Sequence, residues 1–250
     1  MNKELHNLLL ELSPIYKKDY LPSISIDCVV FGFHENSLKV LLLQLKGSDA
    51  WGLPGGYLKM DEDLNDGATR ILKDRTGATD IFLNQFKTFG QSKRTAHVFK
   101  DYPDDLWHKQ RYVSIAFYAL INFEDVTPEV DHFSRACKWK DINELPAFMM
   151  DHQKIYEAAL LQLRKDLNYK PVGKNLLPEK FTMPELQKLY EVILDKKLNR
   201  GNFYRKMKRY AILNKLDETR KGGAHKSPDL YSFDEEAYEE SLNHGLSEIW

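Results

Sequence analysis

The chain has 250 residues, 42% hydrophobic and 29% charged, with a formal net charge of −1. That supplies enough apolar material for one large or two small cores and excludes a chain too polar to fold. The longest apolar runs, such as Val40–Leu43, are far too short to cross a bilayer, so a cytoplasmic protein with no membrane partner is expected.

In chain order, the first twenty residues, MNKELHNLLLELSPIYKKDY, carry acids inside their apolar stretch and no small-residue cleavage site. They read as an amphipathic helix rather than a signal peptide. Ser23–Phe31 and Leu38–Lys46 read as strands around a turn at His34–Ser37, a hairpin pattern. Trp51–Tyr57 is a glycine-rich loop, and Asn65–Arg75 fits a helix with Leu64, Ala68, Ile71 and Leu72 on one side. Gly77 is a suitable helix terminator. Phe82–Gly90 and Val113–Asn122 read as strands separated by a polar loop, Gln91–Arg111. Cys137–Lys140 is a short strand and Asp151–Leu167 a long helix. The two cysteines, Cys28 and Cys137, fall in these strands and read as buried free thiols; alone they cannot build a structural zinc site.

Asn168–Lys180 holds two prolines and a glycine between periodic segments, which marks a linker. The division expected is 1–168 for a first domain, 169–180 for the linker and 181–250 for a second domain. Thr182-Met183-Pro184-Glu185 is a capping box, and Leu186, Leu189, Tyr190 and Ile193 give the helix after it one apolar stripe. A turn at Lys196–Arg200 leads to a second helix, Gly201–Tyr210. Leu213–Glu218 and Leu230–Phe233 then read as strands around the basic tip TRKGGAHKSP. Helix, turn, helix and basic hairpin describe a winged helix-turn-helix.

Charge is distributed unevenly. Residues 1–169 hold 21 Lys and Arg against 24 Asp and Glu, residues 170–226 hold 15 against 6, and residues 227–250 hold none against 7. A basic block of this size is the electrostatic footprint of a nucleic-acid partner, although a solvated face has the same composition. The second helix favours a nucleic-acid partner. Phe203, Met207 and Tyr210 share one face, whereas Asn202, Arg205, Lys208 and Arg209 share the other, as a helix reading the major groove of double-stranded DNA requires. Arg200 and Lys206 extend that surface. Arg220, Lys221, His225 and Lys226 belong to a wing touching backbone or minor groove. The competing reading is a basic helix pair docked on the acidic tail Asp234–Glu240.

Between Gly52 and Asp80, Gly56, Glu62, Arg70 and Gly77 fall at the spacing of a known motif, preceded by Leu53-Pro54-Gly55. Here the chain resembles the Nudix hydrolases, which implies an α+β domain, an α/β/α sandwich. In that family three glutamates at i, i+3 and i+4 hold divalent cations against a diphosphate. The matching positions here are Ile71, Asp74 and Arg75. Glu62 and Asp74 leave at most a weak cation site, so no catalytic residue, metal or cofactor is expected. The retained residues also have a plain reading: Gly55 and Gly56 for positive φ, and Glu62 with Arg70 as an ion pair holding the loop. A Nudix-like domain before a winged helix is similar to the Nudix-related transcriptional regulators, most of all the arabinose-responsive repressors. The resemblance implies a homodimeric repressor of sugar-utilisation genes whose effector is an L-arabinose-like pentose. A hydrolase, or a regulator sensing an ADP-ribose or NAD-type ligand, is the alternative. Effector contacts expected from position around the sheet are Asp27, Lys46, Arg94, Gln110, Arg111, Tyr112, Asp151 and His152.

Overall fold

The computed structural model describes residues 3–77, 81–95, 98–220 and 227–246. The chain divides into two units, residues 1–32 with 39–159, and residues 33–38 with 160–250.

The first unit opens with α1 (Lys3–Asp19). A mixed sheet follows, of β1 (Tyr20–His34), β2 (Ser37–Leu45), β3 (Trp51–Gly52), β4 (Gly55–Lys59), β5 (Phe82–Phe89), β6 (Val113–Leu120) and β7 (Ser134–Asp141). Its path is β3-β2-β1-β6-β5, with β4 added on β1 and β7 on β2. The β1–β6 pair is parallel, joined through the long connection that carries β2 to β5. The β1–β2 turn places Glu35 and Asn36 at φ 50° and 59°, the twist a tight hairpin favours.

Because strand residues alternate between faces, β1 serves two layers. Ile26, Cys28 and Val30 pack with Ala68, Ile71 and Leu72 of α2 (Leu64–Thr76). On the opposite face Phe31 meets Tyr156 of α3 (His152–Asp166), ring centroids 6.2 Å apart. Helix, sheet and helix make the expected α/β/α sandwich. Both cysteines are buried and free, as expected.

In the second unit α4 (Met183–Leu194) and α5 (Arg200–Tyr210) are followed by β9 (Leu213–Thr219) and β10 (Asp229–Phe233). β10 lies between β9 and the short β8 (Phe181–Thr182). The capping box is present: Thr182 Oγ1 accepts from the Glu185 N–H, and the Glu185 carboxylate accepts from the Thr182 N–H at 2.7 Å. This is the winged helix-turn-helix fold.

Within residues 169–180, the segment expected to be a linker, Val172, Leu176 and Leu177 are buried, and Lys174 pairs with Glu235. The apolar residues between the prolines, not the prolines, decide the segment's fate. The acidic stretch after Asp234 is not a tail but α6 (Glu235–His244). Asp234 caps it, Glu235 and Glu236 oppose the positive end of its dipole, and Tyr238 is buried.

Candidate functional site

The motif at Gly52–Asp80 forms β3, β4 and α2. Gly55 lies opposite Asp27 and Gly56 opposite Ile26 in the β1–β4 register. A Cβ on Gly55 would lie 2.8 Å from both Asp27 Oδ1 and the Ile26 carbonyl oxygen, and one on Gly56 would crowd Ile71 at 3.1 Å. Neither glycine is among the positive-φ residues. Close approach within a strand, not a left-handed turn, is why glycine is needed there.

Glu62 and Arg70 form the loop-holding pair. Arg70 Nε donates to Glu62 Oε1 at 2.6 Å, and its terminal nitrogen donates to Glu62 Oε2 at 2.8 Å and to the Tyr57 carbonyl at 2.9 Å. The Lys59 N–H also donates to Glu62. Arg70 beside it holds the Glu62 carboxyl below its ordinary range. Ile71 is buried in the core. Arg75 is turned to Asp131 at 2.6 Å, and Asp74 sits 4.0 Å from Arg70 with its side chain 63% exposed. A divalent cation does not fit this set: one position is a buried hydrocarbon, one a guanidinium, and Glu62 is committed to Arg70. Among the described residues no cluster of three or more His, Cys, Asp and Glu can hold a metal.

Beside the motif lies a cleft of about 1050 Å³. Of the expected effector residues, Asp27, Lys46, Arg94, Tyr112 and His152 line it; Gln110, Arg111 and Asp151 do not. Gln110 bridges the Ser23 N–H and the Tyr112 hydroxyl, and Arg111 reaches the Gly90 carbonyl. Asp151 supports the cleft from behind. Arg94 donates to Asp27 Oδ2 at 3.0 Å and to Asp151 Oδ2 at 2.9 Å, and Ser114 donates to Asp27. His152 Nδ1 accepts from the Leu53 N–H at 2.8 Å, which leaves its proton on Nε2, 3.8 Å from Asp27. Burial lowers the His152 pKa and keeps the ring neutral.

Among the described residues, each Lys and Arg of the lining has a carboxylate partner: Lys46 has Glu4, Arg70 Glu62, Arg75 Asp131, and Arg94 both Asp27 and Asp151. The residues that sequence reasoning missed are Tyr16, Tyr57, His108 and Asp131, all on the lining. A guanidinium at a metal position needs a carboxylate, which was the available signal for Asp131. Nothing in the chain's periodicity marks the three rings.

In the second unit the stripe of α5 is as expected. Phe203, Met207 and Tyr210 are buried, and Tyr190 meets Phe203 edge-on at 5.4 Å. Asn199 caps the helix by accepting from the Asn202 N–H. Arg200, Asn202, Arg205, Lys208 and Arg209 are exposed, and Lys206 is half-buried. Arg205 donates to Asn202 along this face. Arg220 pairs with Glu185 at 2.8 Å, so it braces the capping box of α4. Lys221, His225 and Lys226 lie outside the described residues.

Fold and site define an α/β/α domain with a ligand-sized cleft and an altered metal motif, followed in sequence by a winged helix. The chain belongs to the NUDIX domain family, whose profile matches residues 21–159. The NrtR DNA-binding winged helix domain matches residues 173–233. The chain is 27% identical over 230 residues to the ADPR responsive transcriptional repressor NtrR of Acinetobacter baylyi, covering 89% of this chain and 86% of that one. It is similar to the crystal structure of Shewanella oneidensis NrtR, with TM-score 0.71, 27% identity, and 86% and 96% of the two chains covered. A crystal structure of the same NrtR with a 27mer DNA shares the fold at TM-score 0.71 and 24% identity, over 90% and 97% of the chains. These relatives support a Nudix-related regulator. They lend no support to the likeness expected with arabinose-responsive repressors.

Proposed function

We propose that the chain is a ligand-responsive transcriptional repressor, with the NUDIX domain as a non-catalytic sensor and the winged helix as the DNA reader. The observation that carries this reading is α5, whose apolar stripe is buried while Arg200, Asn202, Arg205, Lys208 and Arg209 are exposed. Arginine and asparagine there suit base edges, and the lysines suit phosphate. Lys206 and the wing residues Lys221, His225 and Lys226 add backbone contacts in this reading, and the operator has dyad symmetry for a homodimer. A gel shift against genomic fragments tests it; no retained fragment in the presence of non-specific competitor overturns it.

For the effector, the Acinetobacter baylyi relative points to ADP-ribose. The cleft supports a second reading, an L-arabinose-like pentose, because among the described residues the four cations of its lining are already paired and no metal set offsets a diphosphate. A thermal-shift series with both ligands separates them, since a ligand at a hundredfold its dissociation constant stabilises by roughly 2.7 kcal/mol. In neither case is hydrolysis expected. Metal-dependent turnover of a nucleoside diphosphate derivative above about 1 per second would refute a non-catalytic sensor.

A further inference from the structure

The matched NUDIX domain begins at residue 21, yet the cleft is also walled by α1, which ends at Asp19. Leu5, Leu9 and Tyr16 of this helix belong to the lining. α1 is fastened at three points. The Trp107 N–H donates to the buried Ser13 hydroxyl at 2.9 Å, Glu4 pairs with Lys46 at 2.6 Å, and Lys17 lies 3.7 Å from Asp105.

At the end of this wall three rings meet. Tyr16 lies 5.1 Å from His108 and 5.7 Å from Tyr57, and Tyr57 lies 5.8 Å from His108, all at steep interplanar angles. These edge-on rings make a stepped surface, while Tyr20 stacks on Tyr16 at 4.8 Å. Around the same cleft, His108 Nδ1, Ser25 Oγ and Ser134 Oγ are buried without a hydrogen-bond partner among the described residues. Buried polar atoms of this kind are costly unless a ligand or water reaches them. Two hydroxyls and a neutral imidazole offer both donors and acceptors, which suits ligand hydroxyls and does nothing to offset an anion.

We propose that α1 completes the effector site, and that Tyr16, Tyr57 and His108 seat a pentose ring, its apolar face on the rings and its hydroxyls toward the orphaned atoms. This rests on the sensor reading above and deepens it. The pentose ring is the chemistry that ADP-ribose and a free pentose share, and Tyr16 is then a specificity residue outside the matched domain.

The test uses the full chain. ADP-ribose, L-arabinose and inorganic pyrophosphate are titrated by calorimetry into the wild type, Tyr16→Phe and Tyr16→Ala. Amide hydrogen exchange is followed in α1 of the wild type with each probe. The expected result is that at least one pentose-bearing probe binds, pyrophosphate does not, and bound probe slows exchange at Leu9–Tyr16. Tyr16→Ala should weaken binding about tenfold, while Tyr16→Phe stays within about threefold. Which pentose probe binds identifies the source of the ring. Binding with unchanged α1 exchange and unchanged affinity in Tyr16→Ala overturns the seat and leaves the effector reading standing. If neither pentose probe binds a protein that still shifts operator DNA, the seat and the effector fall and the DNA reader stands. If the wild type also fails to shift DNA, both readings fail.

Discussion

The residues that replace the metal ligands are integrated into the fold rather than left over. Ile71 sits in the core cluster, and Arg75 with Asp131 forms a pair whose side chains are 17% and 14% exposed. Ile71→Glu should therefore destabilise by roughly 3 kcal/mol or more, because an unpaired charge enters hydrocarbon. A denaturant melt checks this; near-wild-type stability with metal-dependent stabilisation would show a latent cation site instead. His108 gives a second prediction. Burial pushes its pKa down to about 4, below the ordinary value near 6.5. The unfolded chain then binds the proton first, so stability present above about pH 6.5 is lost as pH falls from there towards 4. His108→Asn should flatten that part of the stability–pH curve, and an unchanged slope would mean that His108 is not the group responsible.

At the scale of elements, the cap of α4 and the face of α5 are separable by mutation. Thr182→Ala removes one half of the capping box and should lower stability by about 1 kcal/mol, read as a fall in melting temperature. Arg205 is exposed and its side chain donates along the helix surface to Asn202, so in Arg205→Ala the fold should survive while specific DNA binding weakens by roughly 1–3 kcal/mol. Binding equal to wild type would show that α5 is not the reader. The helical stripes of α2, α4 and α5 were legible in the chain because a 3.6-residue period leaves its mark locally. The ion pair of Glu62 and Arg70 was legible too, since two charges eight residues apart bracket a single helix entry. The cleft was legible only in part: Asp27, Arg94 and His152 lie on its lining as expected, whereas no local pattern pointed to Tyr16 or His108. They meet only after residues far apart in sequence are brought together, and no local pattern encodes that. In the segment between the prolines, turn residues announce irregular backbone, not exposure. Val172, Leu176 and Leu177 show that an irregular segment can be buried.

At the scale of the whole chain, a repressor controlled by a small molecule must couple two sites, and the coupling is reciprocal. If effector weakens operator affinity by some factor, operator must weaken effector affinity by the same factor, typically about 5–150-fold. Calorimetric titration of the effector with and without saturating operator checks this, and an unchanged affinity would remove that molecule from candidacy. The pairing of the cleft's cations also sets how the two sites respond to salt. A site whose positive charges are already neutralised by its own carboxylates has few bound counter-ions to release when a neutral ligand enters. The α5 face, with Arg200, Arg205, Lys208 and Arg209 exposed, should shed them on meeting phosphates, with log K falling by about 0.9 per contact for each decade of salt. If the effector is a pentose, raising potassium chloride should strip the chain from operator DNA while leaving pentose affinity nearly flat, so that ionic strength acts on one site and spares the other.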